Sequence, residues 1–325
     1  MATTTSGGDS GTTAPLTITE HDKLGPLGGK PAVLESDSEL RRALVAEFQA
    51  AAQAARDAAA SVDHDVEEAV HDYRKALRRA RAVLTLVSRA LPRSERRAVK
   101  KALQEARRAL GNARDHAVAP ETLANLALSD EVRAVARGVL DAAAEAMPAR
   151  HEIKQGLAEG AARALAQVEA LEAALPATLG WSVVLRGVRE TYDEARSARK
   201  AARRSVRSFH RWRRRSKELG YQLDVISGFA GMRVAEIQKE IEGATDPQSP
   251  VVDLIMLRDF VETHGTRGDA LEHLVDAIDG QIDDMKQDAR RAGREAFRRK
   301  PRKFGKRLTR AVERDLAPVT DDGVS

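Results

Sequence analysis

Cysteine is missing from all 325 residues, which excludes disulfides, thiolate nucleophiles and cysteine-ligated zinc. Aromatics are scarce, 3% of the chain. A core must therefore be aliphatic, and base stacking on aromatic platforms has few candidates, Trp212 and Tyr221 among them. No apolar run approaches the roughly 20 residues that a membrane-spanning helix needs. The stretch Met1 to Lys30 has neither the basic head nor the apolar segment of a secretory signal. Rich in Ser, Thr and Gly, it reads as a disordered tail, and the cytoplasm is the expected compartment. A phosphate-cradling Gly-x-x-x-x-Gly-Lys-Ser/Thr loop is absent too.

What remains is a chain dominated by Ala, Leu, Val, Glu and Arg, a usage that favours helix over strand. Its net charge of +5 conceals a strong segregation. Residues 71–108 hold 13 Lys/Arg against 3 Asp/Glu, residues 186–217 hold 13 against 3, and residues 290–310 hold 11 against 1. The three blocks carry +30, and the rest of the chain carries −25. Like charges gathered in this way repel one another unless an anion neutralises them, so the blocks predict a polyanionic partner.

Ser36 followed by Glu39 predicts a capping box and the start of the first helix. Pro92, Pro120, Pro148, Pro176, Pro247, Pro250 and Pro301 then punctuate segments with apolar residues at helical spacing. A shift of 139 residues superposes two of these segments. It places Val70 on Phe209, Tyr73 on Trp212, Ala80 on Leu219, Leu84 on Leu223 and Val87 on Ile226. The polar side agrees as well: His71, Arg74, Lys75 and Arg78 fall on His210, Arg213, Arg214 and Lys217. At 100° per residue Val70, Tyr73, Leu77, Ala80, Leu84 and Val87 share one side, while His71, Arg74, Arg78 and Arg81 share the other. A merely solvated face would interleave acids three or four residues from its bases, yet residues 73–94 contain none.

These residues resemble the conserved-histidine alpha-helical domain, the CHAD domain. HDYRKALRRARAVLTL at 71–86 looks like the family's first signature, and HRWRRRSKELGYQL at 210–223 is similar to the second. LGNARD at 110–115 and GATD at 243–246 are similar to its turns. The segments at 181–202 and 297–308 resemble those that close each half. The resemblance covers residues 36–312 and implies an all-α fold of two pseudo-symmetric antiparallel four-helix bundles, spanning 36–204 and 205–312 between tails at 1–35 and 313–325. It also implies inorganic polyphosphate as the ligand, free or on granules, held between the bundles. The residues so implicated are His71, Arg74, Lys75, Arg78 and Arg81, then Arg189, Arg196 and Lys200, then His210, Arg213, Arg214 and Lys217, and lastly Arg298 and Lys303. Three departures stand out. Glu218 and Gly220 occupy places where the second signature carries bases. An acidic linker with two prolines is expected at 243–253. The Glu-x-Glu-x-Lys signature of the hydrolase domain that precedes many relatives is missing, so a stand-alone binding unit is expected.

A phosphate chain suits such faces. Guanidinium stays charged, offers a planar fork to two oxygens and is weakly hydrated. Bases three and four residues apart can meet successive phosphates. His71 and His210 can donate from both ring nitrogens once protonated, which a polyanion favours, or each can pack at a helix interface with one hydrogen bond satisfied. No metal site or cofactor is expected, because neither histidine has a His or carboxylate at i+4. A nucleic-acid binder is the competing reading on the basic pI, opposed by the acidic remainder of the chain. A phosphoanhydride enzyme would need carboxylates to hold a metal or position a nucleophile. Asp72 and Asp115 are the nearest candidates, and binding without catalysis is the expectation.

Overall fold

The computed structural model describes residues 36–108, 119–120, 122–126, 128–144 and 148–317. The N-terminal tail at 1–35 and the turn at 110–115 with Asp115 lie outside the described residues. Among the described residues every regular element is helical: α1 (Asp37–Ala60), α2 (Val66–Leu86), α3 (Arg93–Arg108), α4 (Asp130–Ala144), α5 (Arg150–Leu165), α6 (Gln167–Ala174), α7 (Trp181–Ala201), α8 (Val206–Ala230), α9 (Met232–Thr245), α10 (Gln248–His264), α11 (Asp269–Ala296) and α12 (Pro301–Leu316). The capping box forms as expected. The Glu39 amide donates to Ser36 Oγ at 3.2 Å and the Ser36 amide to Glu39 Oε2 at 3.0 Å, an arrangement that stabilises a helix start by about 1 kcal/mol. Asp65 and Ser205 cap α2 and α8 from one side only, accepting from the Glu67 and Glu68 amides and from the Ser208 amide.

The apolar stripes are the core. Val70, Tyr73, Leu77, Ala80, Leu84 and Val87 are at most 4% exposed, and Phe209, Trp212, Leu219, Leu223 and Ile226 are fully enclosed. They join one continuous cluster that runs through both halves. The two equivalent aromatics need room, and glycines supply it. A Cβ on Gly160 of α5 would collide with the Tyr73 hydroxyl, and one on Gly293 of α11 would collide with the Trp212 ring. The Tyr73 hydroxyl donates to the Ala106 carbonyl at 3.1 Å, so its burial leaves no polar atom stranded.

α7, which precedes the boundary expected at 204/205, packs chiefly on α8 and α12, just as α1 packs on α2. An apolar stripe cannot reveal this because it marks a buried face without naming its neighbour. The linker expected at 243–253 shrinks. Residues 243–245 finish α9 and 248–253 open α10, leaving Asp246 and Pro247 as the connection. Pro250 is tolerated there because the first turn has no intrahelical amide bond to lose. At the other end α12 continues to Leu316, so residues 313–316 are helical rather than tail.

Candidate functional site

Helical spacing aligns Arg74, Arg78, Arg81 and Thr85 along α2, and α2 packs directly on α8. The basic side of α2 is thus not an open surface. His71, Arg74, Lys75, Arg78 and Arg81 are all half-buried, as are His210, Arg213 and Lys217 on α8, while Arg214 is exposed.

Two polar contacts tie the crossing. Arg79, buried on α2, pairs with Asp224 of α8 and with Glu47 of α1. Thr85 Oγ1 donates to Glu218 Oε1 at 3.0 Å. Under the 139-residue shift Arg79 is equivalent to Glu218 and Thr85 to Asp224, so one contact is made twice, as a two-fold axis through the crossing would produce. Gln238 of α9 extends the network, its Nε2 donating to Asp224 Oδ1 at 3.1 Å and to Glu242 Oε1 at 2.8 Å. Burial works against the charge on Arg79, but Glu47 and Asp224 outweigh it and raise its pKa. Burial raises the pKa of Asp224, and Glu47 adds to this, against the pull of Arg79.

Beside this network the arginines of both halves converge. Burial lowers the pKa of Arg107, in the last turn of α3, and Arg81, Arg78 and Arg108 lower it further. Burial does the same to Arg214 of α8, followed by Arg81, Arg215 and Arg107, with Glu218 opposing. The arginines that add to burial at Arg107 and Arg214 gather positive charge where α2, α3 and α8 approach one another. One carboxylate stands inside it. Glu218, its side chain 6% exposed, accepts from Arg215 Nη1 at 2.6 Å and from Arg81 Nη2 at 3.4 Å. Arg215 also reaches Glu194 of α7 at 2.8 Å. The acid that departs from the expected basic pattern is thus a built-in counter-ion that holds two arginines in place. Nothing in the packing demands glycine at 220.

The expected contacts on α7 and beyond gather elsewhere. Arg196 Nε donates to the Phe297 carbonyl at 3.2 Å and so helps close the end of α11. Arg199 is depressed by burial, then by Arg196 and Arg294. Arg189 lies against Gly305 of α12, and Lys200 and Arg298 are exposed. Tyr192 organises this region, stacking on Phe304 at 3.8 Å between ring centroids and donating to the Arg299 carbonyl at 3.1 Å. Lys303 belongs to a separate groove between α9 and α12. Arg213 Nη2 donates to Ser249 Oγ at 3.3 Å, toward its own half. The convergent set is thus Arg78, Arg81 and Arg214 from the expected residues, joined by Arg107, Arg108 and Arg215. Their membership in the first two basic blocks was the only signal for these additions. Among the described residues no three His, Asp or Glu side chains are placed to hold a metal ion, and no helix is long and apolar enough to cross a membrane.

Comparison with known proteins adds two findings. A sequence model of the CHAD domain family matches residues 42–262. The crystal structure of the CHAD domain from the plant Ricinus communis superposes with a TM-score of 0.60 at 18% identity, covering 84% of this chain and 96% of that one. No curated protein matches.

Proposed function

The chain belongs to the CHAD domain family, and from that premise we propose that it binds inorganic polyphosphate as a binding unit without catalytic turnover, on the face where α2, α3 and α8 meet. The observation that carries this reading is the convergence of arginines from separate helices, close enough that Arg81 and Arg78 add to burial in lowering the pKa of Arg107, and Arg81 and Arg107 add to burial in lowering that of Arg214. Like charges held so close stabilise nothing by themselves. An anion shared among them relieves their repulsion and receives forked, charge-assisted hydrogen bonds. A thin flexible strand can follow a half-buried face that a wide duplex cannot enter, and the −25 outside the basic blocks repels a duplex further. Association with polyphosphate granules in the cytoplasm fits the same chemistry.

The test is a titration of the full chain with long polyphosphate, heparin and duplex DNA at fixed ionic strength. Polyphosphate should bind tightest. By analogy with nucleic acids, neutralising six or more charges should weaken binding on the order of a thousandfold between roughly 50 and 200 mM salt. A preference for DNA or heparin, or a flat salt response, overturns the proposal.

A further inference from the structure

Away from the α2–α8 crossing, α9 and α12 leave a groove of about 680 Å³ between them. Ile237 and Ala311, 2% and 7% exposed, form its floor, and Met232, at 80% exposure, is its exposed apolar rim. Large hydrophobic side chains are otherwise well covered among the described residues. The walls are cationic. Two of the bases are already neutralised: Arg307 forms a forked pair with Glu240, one arm at 2.6 Å, and Arg233 Nη1 donates to Asp315 Oδ1 at 3.0 Å. Asp315 also accepts from the Arg233 and Val234 amides at 2.9 and 3.2 Å. It thereby caps α9 and locks its first turn against α12.

Four other cations, Lys303, Lys306, Arg310 and Arg314, have no described carboxylate within 4 Å. They run along α12 over about 16 Å, at 1.5 Å per residue. Among the described residues Glu236 is the only carboxylate lining the groove.

The combination selects a ligand class. A bare polyanion would gain from the rail but nothing from the exposed Met232, and a purely apolar ligand would leave the rail unpaired. Both features are used by a helix that carries carboxylates on one side of an apolar stripe, a recurring mode of helix-in-groove recognition. We propose that this groove docks an acidic amphipathic helical segment of a partner protein. Its apolar side chains rest on Met232, over a floor that Ile237 and Ala311 close, and its carboxylates pair with the α12 rail. The site is independent of the polyphosphate reading.

The test uses the full chain and a fluorescein-labelled 16-residue peptide with Leu at helical spacing and Glu on the flanks. A scrambled peptide of the same composition, polyglutamate of equal charge and long polyphosphate serve as competitors. The patterned peptide should bind at least about tenfold more tightly than the scrambled one, a difference of about 1.4 kcal/mol. Met232→Ser should weaken it about tenfold, and Lys306→Glu with Arg310→Glu should abolish it, each with unchanged circular dichroism. Arg81→Ala with Arg214→Ala, which tests the polyphosphate face, should leave peptide binding intact. Equal binding of patterned and scrambled peptides, indifference to the groove variants, or displacement by polyphosphate that persists in the Arg81 and Arg214 variant would each overturn the inference.

Discussion

At position 79 α2 carries an arginine, and at the equivalent place on α8 stands Glu218. Both side chains are buried, 11% and 6% exposed, and both reach across to the other helix. The two helices share a core stripe and the first bases of their polar sides, so the divergence is confined to the turns that touch. There α2 keeps its positive run through Arg81, whereas α8 supplies the acids Glu218 and Asp224. A crossing of two identical basic helices would bury like charges against each other, which no hydrogen bonding relieves. Exchanging bases for acids on one member turns the repulsion into two equivalent polar contacts, while leaving Arg78, Arg107 and Arg214 free of that role at the edge of the crossing.

The comparison can be broken in four ways. The largest effect is expected from Arg81→Ala with Arg214→Ala, one change on each helix. Charge-assisted contacts worth about 1.5–3 kcal/mol each imply a loss of about two to four orders of magnitude in polyphosphate affinity. Arg42→Ala with Arg56→Ala, on the exposed side of α1, should leave affinity nearly unchanged. Equal losses from both pairs would mean that binding follows total charge rather than a site.

Next in size is Arg79→Ala, which strands Asp224 and Glu47 without their cation. Denaturant unfolding should register a loss of about 3–5 kcal/mol. A loss below about 1 kcal/mol, the range of a surface pair, would show that the crossing does not depend on this contact. Glu218→Gln should separate the two roles of the crossing. Freed from Glu218, Arg81 should take polyphosphate about tenfold more tightly, while Arg215 keeps its pair with Glu194, at a cost of about 1 kcal/mol in stability. An affinity that falls instead would mean that Glu218 acts by positioning the arginines for the ligand.

The smallest signal is a pH slope that separates Asp224 from its equivalent, Thr85. The folded pKa of Asp224 is raised above its ordinary 3.8, so the native state holds that proton more tightly than the unfolded chain. The resulting stability is complete below 3.8 and disappears as pH rises through the folded value. Measured against Asp224→Asn, the wild type should therefore lose relative stability across that interval. A gain with rising pH would show that the pair with Arg79 prevails over burial.

Much of this was legible in the linear chain. Ser36 and Glu39 announce the first helix because a capping box is local, and the stripe from Val70 to Val87 declares a buried face because its spacing is that of a helix. The alignment of Tyr73 with Trp212 revealed the internal repeat, and the shift of 139 residues places α1 over much of α7. Yet no local feature states that α7 lies against α8. Arg107 and Arg215 escaped for the same reason. Neither is distinguished from other arginines in its block until α3 and α8 are brought beside Arg81. Lys303 was implicated through the resemblance of 297–308 to a closing segment, and packing assigns it to the groove beside Met232.

Helix identity, capping, the repeat and the segregation of charge depend on neighbours within a few positions of each other or on direct self-comparison, and the amino-acid order determines them. Which arginines are neutralised and which face an anion depends on neighbours far apart in the chain. Arg79 meets Asp224, 145 residues away, and Arg81 meets Glu218, 137 residues away. Coulomb interaction and burial act through space over a few ångströms, so only the packing of α2 against α8 decided which basic side chains became structural and which remained available to a ligand.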